Sequence, residues 1–350
     1  MAASAGVKWK LTGPEGGCTM ISGPYRASEQ VMAWRKRMAF THIPVLFDEV
    51  MAYMPLIPQG VYLDGTLGGG GHSEGILSRC PEAALFGIDR DPNALSAASE
   101  RLKDYPGFHP VRGNFHDARQ LLAEQGITQL DGALLDLGVS SPQLDEGERG
   151  FSYHVDAPLD MRMDPSQRVT AEELVNTLPE KELTRILQEY GEEKWASRIA
   201  AMICEHRAKT PLKTTLDLVA CVDAAIPKAV RRKSEGHPAR RTFQAIRIAV
   251  NDELTPLDPA LCEIVSMLRP GGRLLVITFH SLEDRIVKKC FQRLRNPCIC
   301  PPKAPVCTCG RKPQVRILGG GAIEPGADEV DRNPRARSAK LRVCEKLEEA

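Results

Sequence analysis

The stretch "VYLDGTLGGGGHSEGIL", residues 61–77, decides the fold. An apolar run closes on an acid, Asp64, and gives way to glycine at each of positions 68 to 71. Gly60–Thr66 is predicted as a strand and Ser73–Cys80 as a helix, so the glycines form the turn between them. Glycines there let a ligand approach backbone that side chains would otherwise cover. In open α/β sheets such turns lie at the carboxyl ends of the strands, where ligands bind. A phosphate-binding loop of the NTPase type requires Gly-Lys-Ser/Thr, but Gly71 is followed by His72 and Ser73, with no lysine nearby. A dinucleotide turn requires G-x-G-x-x-G, and starting at Gly68 or Gly69 the third glycine falls on Ser73 or Glu74.

Working outward, the same strand–helix rhythm repeats. Ala84–Asp89, Phe108–Gly113 and Asp131–Leu137 read as strands; Pro92–Lys103 and Ala118–Gln125 read as helices. "DGALLDL" is nearly all apolar, as a strand buried on both faces should be. Such alternation implies a doubly wound parallel sheet. From about Ser140 to Arg240 only helical periodicity is found, with Thr170 and Glu173 spaced as a capping box. "LRPGGRLLVITF", 268–279, then returns to the strand pattern through a Pro-Gly-Gly turn. The expected organisation is an α/β domain in two pieces, 41–139 and 241–350, interrupted by a helical insertion at 140–240. The Pro-, Gly- and Arg-rich segment from about Asn296 reads as loop.

The 350-residue chain has a formal charge of +1, which excludes a uniformly basic nucleic-acid binder but not local patches. Basic clusters occur at 35–37, 231–233, 240–241 and 335–342. No apolar run approaches the roughly 20 residues of a membrane span. Eleven scattered cysteines indicate reduced thiols rather than a disulfide scaffold. Residues 1–40 are rich in Gly, Ala, Ser and basic residues, and read as a disordered extension preceding a start at Met38. A cytoplasmic protein is then expected, or an organellar one if the segment is a transit peptide.

Asp64 with glycines at 68 and 70 resembles the first motif of Rossmann-like methyltransferases, whose ligand is S-adenosylmethionine. That cofactor carries a cationic sulfonium and no phosphate, so no lysine is needed. Asp89 in "FGIDRD" ends the next strand and is expected to accept bonds from ribose hydroxyls, Asp91 being better placed to cap the following helix. "DGTLGGGGHS", "DGALLDLGVSSPQLDEGERGFSYHVDAPLDMRMD" (131–164), "FHSLEDR" (279–285) and "NPRARSAKLR" (333–342) together closely resemble the RsmH (MraW) family, in the expected order from about His42 to Lys346. These enzymes methylate small-subunit ribosomal RNA, making N4-methylcytidine in the decoding region at the P site. The resemblance implies a class I, Rossmann-like methyltransferase sheet with a helical RNA-recognition insertion. It implies that S-adenosylmethionine is held by Gly68, Gly70, Gly71, His72, Asp89, Phe115, Asp136 and Gln143. Position 69 departs from the family, which often has a larger residue than Gly69 there.

The cytosine N4 lone pair is delocalised into the ring, so rate must come from in-line positioning and from an acceptor for the amine hydrogen. Asp136 ends the fourth strand and is the expected acceptor, with Ser140 or Ser141 assisting. The Pro-Pro-aromatic that often follows this position in amino-methyltransferases is absent. Arg149, Arg162, Arg232, Arg240, Arg241, Arg335, Arg337 and Lys340 are expected at RNA phosphates, and His280 either at the substrate or as a helix cap. The partner is small-subunit rRNA or an assembled subunit, the protein acting as monomer or homodimer. The alternatives are a methyltransferase of a small molecule or protein, against which the basic insertion speaks, and a non-catalytic RNA-binding assembly factor. "CICPPKAPVCTCG" places Cys298, Cys300, Cys307 and Cys309 as two C-x-C pairs. That spacing is a poorer match to zinc than C-x2–4-C, and reduced loop thiols are expected, with no metal.

Overall fold

The structure is a computed structural model that describes residues 7–10, 19–22, 44–139, 147–232, 236–301, 306 and 308–348. In the N-terminal unit, Met1–Ile43, strands β1 (Val7–Lys10) and β2 (Thr19–Ser22) pair antiparallel, Val7 opposite Ser22. The expectation of a structureless extension does not anticipate this pair. A two-stranded ribbon is marginal in water unless something covers it.

The second unit, Pro44–Ala350, opens with α1 (Phe47–Tyr53) and then alternates: β3 (Val61–Asp64), α2 (Gly71–Leu77), β4 (Ala84–Asp89), α3 (Pro92–Arg101), β5 (Phe108–Arg112), α4 (Ala118–Glu124) and β6 (Leu130–Asp136). Local signals set these boundaries. At α3, Asp91 Oδ1 accepts the Asn93 N–H at 3.0 Å and Pro92 occupies the first turn, where a missing N–H loses nothing.

A run of helices follows: α5 (Ala171–Thr177), α6 (Glu180–Glu189), α7 (Ala196–Arg207), α8 (Thr215–Ala225), α9 (Lys228–Arg231) and α10 (Arg240–Asn251). Thr170 caps α5 by accepting the Glu173 N–H at 3.1 Å. The full reciprocal capping box lies at α8, between Thr214 and Asp217. The chain then continues through α11 (Leu257–Met267), β7 (Leu268–Thr278), α12 (Ser281–Arg295), β8 (Val315–Ile323), α13 (Ala327–Arg332) and β9 (Lys340–Lys346).

Seven strands form one sheet in the order β5-β4-β3-β6-β7-β9-β8. β3 to β7 are mutually parallel, while β9 runs antiparallel to both β7 and β8. This is the mostly parallel α/β sheet expected from the strand–helix alternation. Its final two strands correct the reading of the last segment as loop. In β9, Leu341 and Val343 are fully buried while Arg342 turns the other way to pair with Asp284. The alternation is present in "KLRVCEK", but adjacent arginines and the β8 glycines mask it. β7 also begins earlier than a Pro-Gly-Gly turn suggests. Its pairing with β6 jumps from Leu130↔Leu268 to Gly132↔Arg273, so 269–272 bulges out of the ladder, with Gly271 at φ +81°.

Two apolar cores support this frame. One lies on the sheet, where Leu63, Ile88, Leu135 and Val276 meet Leu261 and Ile264 of α11 and Val287 and Phe291 of α12. The other lies among α5 to α8 and α10, around Leu187, Ile199, Leu218, Val222 and Ile246, and runs on past Arg240 to Val250. Each large aliphatic side chain so buried contributes about 1.5–3 kcal/mol relative to exposure. The helical segment therefore sustains its own packing.

Candidate active site

The parallel strands end together on one side, and the glycine turn rises from the first of them. Gly70 caps α2 in the left-handed region, φ +72°, and a Cβ there would press to 3.2 Å from both Ala98 and Leu102. A Cβ on Gly71 would lie 2.4 Å from Pro44 Cγ. Gly69 differs: its missing Cβ would meet nothing within 4 Å, so a larger residue fits there. Gly68 donates its N–H to Asp89 Oδ2 at 2.8 Å.

Asp64 underpins the turn from below. Its Oδ2 accepts the Ser73 hydroxyl at 2.6 Å and its Oδ1 the Thr66 N–H at 3.3 Å. Burial pushes this carboxyl up to about 6. Asp89, ending β4, accepts from Gly68 and, through Oδ1, from the Asp91 N–H at 2.9 Å; burial raises its pKa. Each oxygen keeps a lone pair for a further donor. Phe115 is buried in the sheet core, its Cβ facing Gly65.

Asp136 ends β6 with its own N–H donated to Thr66 Oγ1 at 2.5 Å. Its Oδ1 is buried with no hydrogen-bond partner among the described residues, and its Oδ2 lies 3.8 Å from His72 Nε2. Burial, with the Asp64 and Glu283 carboxylates adding repulsion, pushes Asp136 up to about 8. Its side chain still shows 27% exposure, so solvent, or a cation arriving in the cleft, draws that value back down. His72 is 5% exposed and stacked on Phe47. Neither ring nitrogen makes a well-formed hydrogen bond among the described residues. Burial, aided by the Arg101 charge, holds the ring down at about 3, so it is neutral at pH 7. The buried His72 ring and the half-buried Asp136 carboxyl, with its Oδ1 shielded from solvent, thus face one space without satisfying each other, above a turn that keeps side chains away. Such a set suits a ligand that brings both donors and positive charge.

The helical segment is braced against this face at three points. Arg149 pairs with Asp91, and its other nitrogen donates to the Arg162 and Met163 carbonyls at 2.8 and 2.9 Å. Arg90, next to Asp89, donates to the Asn251 carbonyl at 3.4 Å, and buried Asn251 in turn accepts from Met163 N–H and donates to Met161 O, both at 2.8 Å. Glu192 takes Ser281 at 2.8 Å and Arg285 at 2.9 Å.

The structure brings the glycine turn and the strand-end acids together, and gives several of the expected cations partners within the protein. The guanidinium groups of Arg149 and Arg162, expected at phosphates, are bound within the protein instead: Arg162 grips Asp160 at 2.7 and 2.8 Å and the Pro165 and Gln167 carbonyls besides. The recess of about 460 Å³ that they line also carries Glu148 and Asp160. His280 is the cap of α12. Its Nδ1 accepts the Glu283 N–H at 3.5 Å while Glu283 Oε2 accepts the Phe279 and His280 N–H groups. Arg232, Arg240 and Arg241 are exposed. Arg335 and Arg337, also exposed, lead into β9, whose Lys340 sits opposite Thr278 at the ligand end of the sheet and pairs with Glu324 at 3.4 Å. Ser140, Ser141 and Gln143 lie outside the described residues. Thr66, Ser73 and Glu283 shape the site and were not singled out in the sequence. The only signal for them was a hydroxyl or acid within a turn of a named motif.

A sequence profile described as the MraW methylase family matches residues 39–347. Curated relatives named "Ribosomal RNA small subunit methyltransferase H" align over nearly their whole lengths. The protein of Heliobacterium modesticaldum is 52% identical over 89% of this chain and 100% of its own, and that of Geobacter sulfurreducens 54% identical over 89% and 100%. The Trichlorobacter lovleyi protein is 53% identical over 88% of this chain and 99% of its own.

Proposed function

The chain belongs to the MraW methylase family, and from that membership we propose that it methylates small-subunit ribosomal RNA at the N4 amine of one cytidine in the decoding region. The methyl donor is S-adenosylmethionine, which supplies a methyl group on a positively charged sulfur.

The observation that carries the reading is the pair of half-buried Asp136 and buried His72, mutually unsatisfied above the glycine turn. The backbone of Gly68 to Gly71 accommodates the methionine portion, Asp89 offers its spare lone pairs to the ribose, and Phe115 lies at the adenine end. Asp136 Oδ1 accepts a hydrogen from the cytosine amine and orients its lone pair. Once the new N–C bond forms, the surplus amine proton passes to Asp136 Oδ1. Once the methyl has left, the sulfur carries no positive charge to hold the carboxyl ionised, so Asp136 becomes a better proton acceptor than an ordinary aspartate. Neutral His72, beside that carboxylate, adds no charge that would repel the sulfonium.

Exposed arginines support an RNA substrate. The first turn of α10 holds Arg240 and Arg241 and no acid. That is the wrong sign for the positive end of a helix dipole, and a phosphate seated there corrects it. With Arg335 and Arg337 beside β9, these cations rim the ligand face. The target base, where stacked, must be drawn out of its stack, at a few kcal/mol.

The test is methyl transfer from labelled S-adenosylmethionine to small subunits lacking the modification, followed by nucleoside mass spectrometry. N4-methylcytidine at one site is expected; label in another base or in protein overturns the assignment. Asp136→Ala separates enzyme from assembly factor: methylation is lost while RNA affinity stays within about twofold, because the carboxyl makes no phosphate contact. Joint loss of both would remove Asp136 from the chemistry.

A further inference from the structure

Three of the four cysteines expected to be independent loop thiols are gathered into one cluster. Among the described residues, the Sγ atoms of Cys298, Cys300 and Cys309 all lie within 4.8 Å of one another, and Cys298 and Cys309 are 3.8 Å apart. A zinc ion with thiolates at about 2.3 Å in tetrahedral geometry sets its sulfurs about 3.8 Å apart. We propose that Cys298, Cys300 and Cys309 are ligands of a structural zinc ion that shapes the loop between α12 and β8.

Three features of the loop support this. Its base is pinned, Gln314 donating to Leu294 O and accepting from the Leu347 N–H, each at 2.9 Å. Among its described residues no apolar core forms: Ile299 and Val306, the large hydrophobic residues nearest the thiols in sequence, are 66% and 71% exposed. Burial therefore does not explain why thiols from both ends of the loop converge, and a metal does; bridging a long loop is where a clip stabilises most. The ligand environment also has the expected chemistry. Thr308 aims its N–H at Cys300 Sγ at 3.4 Å, the bond that stabilises a thiolate. Gly310, at φ +65°, lets the chain reverse directly after Cys309. Arg311 and Lys312 follow, offsetting the negative charge of a zinc–thiolate centre. Cys307 completes the second C-x-C pair in the sequence and lies outside the described residues.

The cluster is remote from the proposed chemistry. β7 ends at the ligand face with Thr278 opposite Lys340, and α12 runs back from there, so the loop joins β8 at Val315, opposite Lys346, at the other end of the sheet. The zinc is structural, and each bound thiol releases its proton to solvent.

The experiment uses full-length protein purified under reducing conditions without a metal-affinity step. Zinc is measured by mass spectrometry, and cobalt is substituted to read the visible bands of tetrahedral thiolate coordination. About one zinc per chain is expected. Cys298→Ser, Cys300→Ser and Cys309→Ser should each lower zinc retention against a chelator by about tenfold or more, with circular dichroism unchanged. The proposal fails if wild-type protein holds under about a tenth of an equivalent. It also fails if zinc persists undiminished in all three variants, or if the intact mass shows a Cys298–Cys309 disulfide instead.

Discussion

Asp136 titrates in the unfolded chain near the ordinary carboxyl value of 3.8 and in the fold near 8. Between those values the folded state holds a proton that the unfolded state has released. Stability of the ligand-free protein therefore falls as pH rises through that window and is fully present below it. Asp136→Asn removes the titration. Thermal melts should show Tm raised by several degrees near pH 9 and unchanged near pH 4; equal shifts at both values would mean that the carboxyl is not held protonated by the fold. The same charge governs the ligand. A sulfonium favours ionised Asp136, so calorimetric affinity for S-adenosylmethionine should rise with pH to about 8 and then level off. The uncharged thioether product should show a flatter profile. Parallel profiles for the two would detach Asp136 from the sulfonium.

Among the elements, the contacts that matter join segments far apart in sequence. Asn251, the last residue of α10, satisfies the Met161 and Met163 backbone from within a buried site. Asn251→Ala strands those groups at about 1–3 kcal/mol each. It is predicted to shift the denaturant midpoint downward and to weaken methyl transfer, since it loosens a brace of the cleft. A midpoint within error of wild type would refute that role. The α8 capping box offers a milder comparison. Thr214→Ala should destabilise by about 1 kcal/mol without touching activity, because the cap lies within the helical core and away from the strand ends.

For the molecule as a whole, the relevant quantity is the arrangement of charge rather than its sum. A formal charge of +1 conceals exposed arginines near the ligand face, while acids elsewhere cancel them. Arg240→Ala with Arg241→Ala should weaken RNA binding and reduce the slope of log affinity against log salt by about 0.7–0.9 for each phosphate that the variant no longer neutralises. Affinity for the methyl donor should stay unchanged. Arg149→Ala should behave in the opposite way, lowering stability by removing the guanidinium that neutralises buried Asp91 while leaving the salt slope intact. No described helix is long and apolar enough to cross a membrane.

What the sequence determined by itself is what neighbouring residues dictate. The strand–helix alternation, the glycine turn that refuses a phosphate, and the acids closing β3, β4 and β6 were all legible from 61–137, because periodicity and turn chemistry act over a few residues. The tertiary structure alone decided whose partner each polar group is. Arg149 looks like any surface arginine until Asp91, far back in the chain, is placed against it. β8 and β9 were hidden because a strand is completed by the strands it pairs with, and β9 finds β7 across more than sixty residues of sequence. Cys298, Cys300 and Cys309, spaced poorly for zinc along the chain, form a metal-sized cluster only in three dimensions. Burial and pairing are properties of three-dimensional neighbours, and a linear pattern carries them only where those neighbours are also close in the chain.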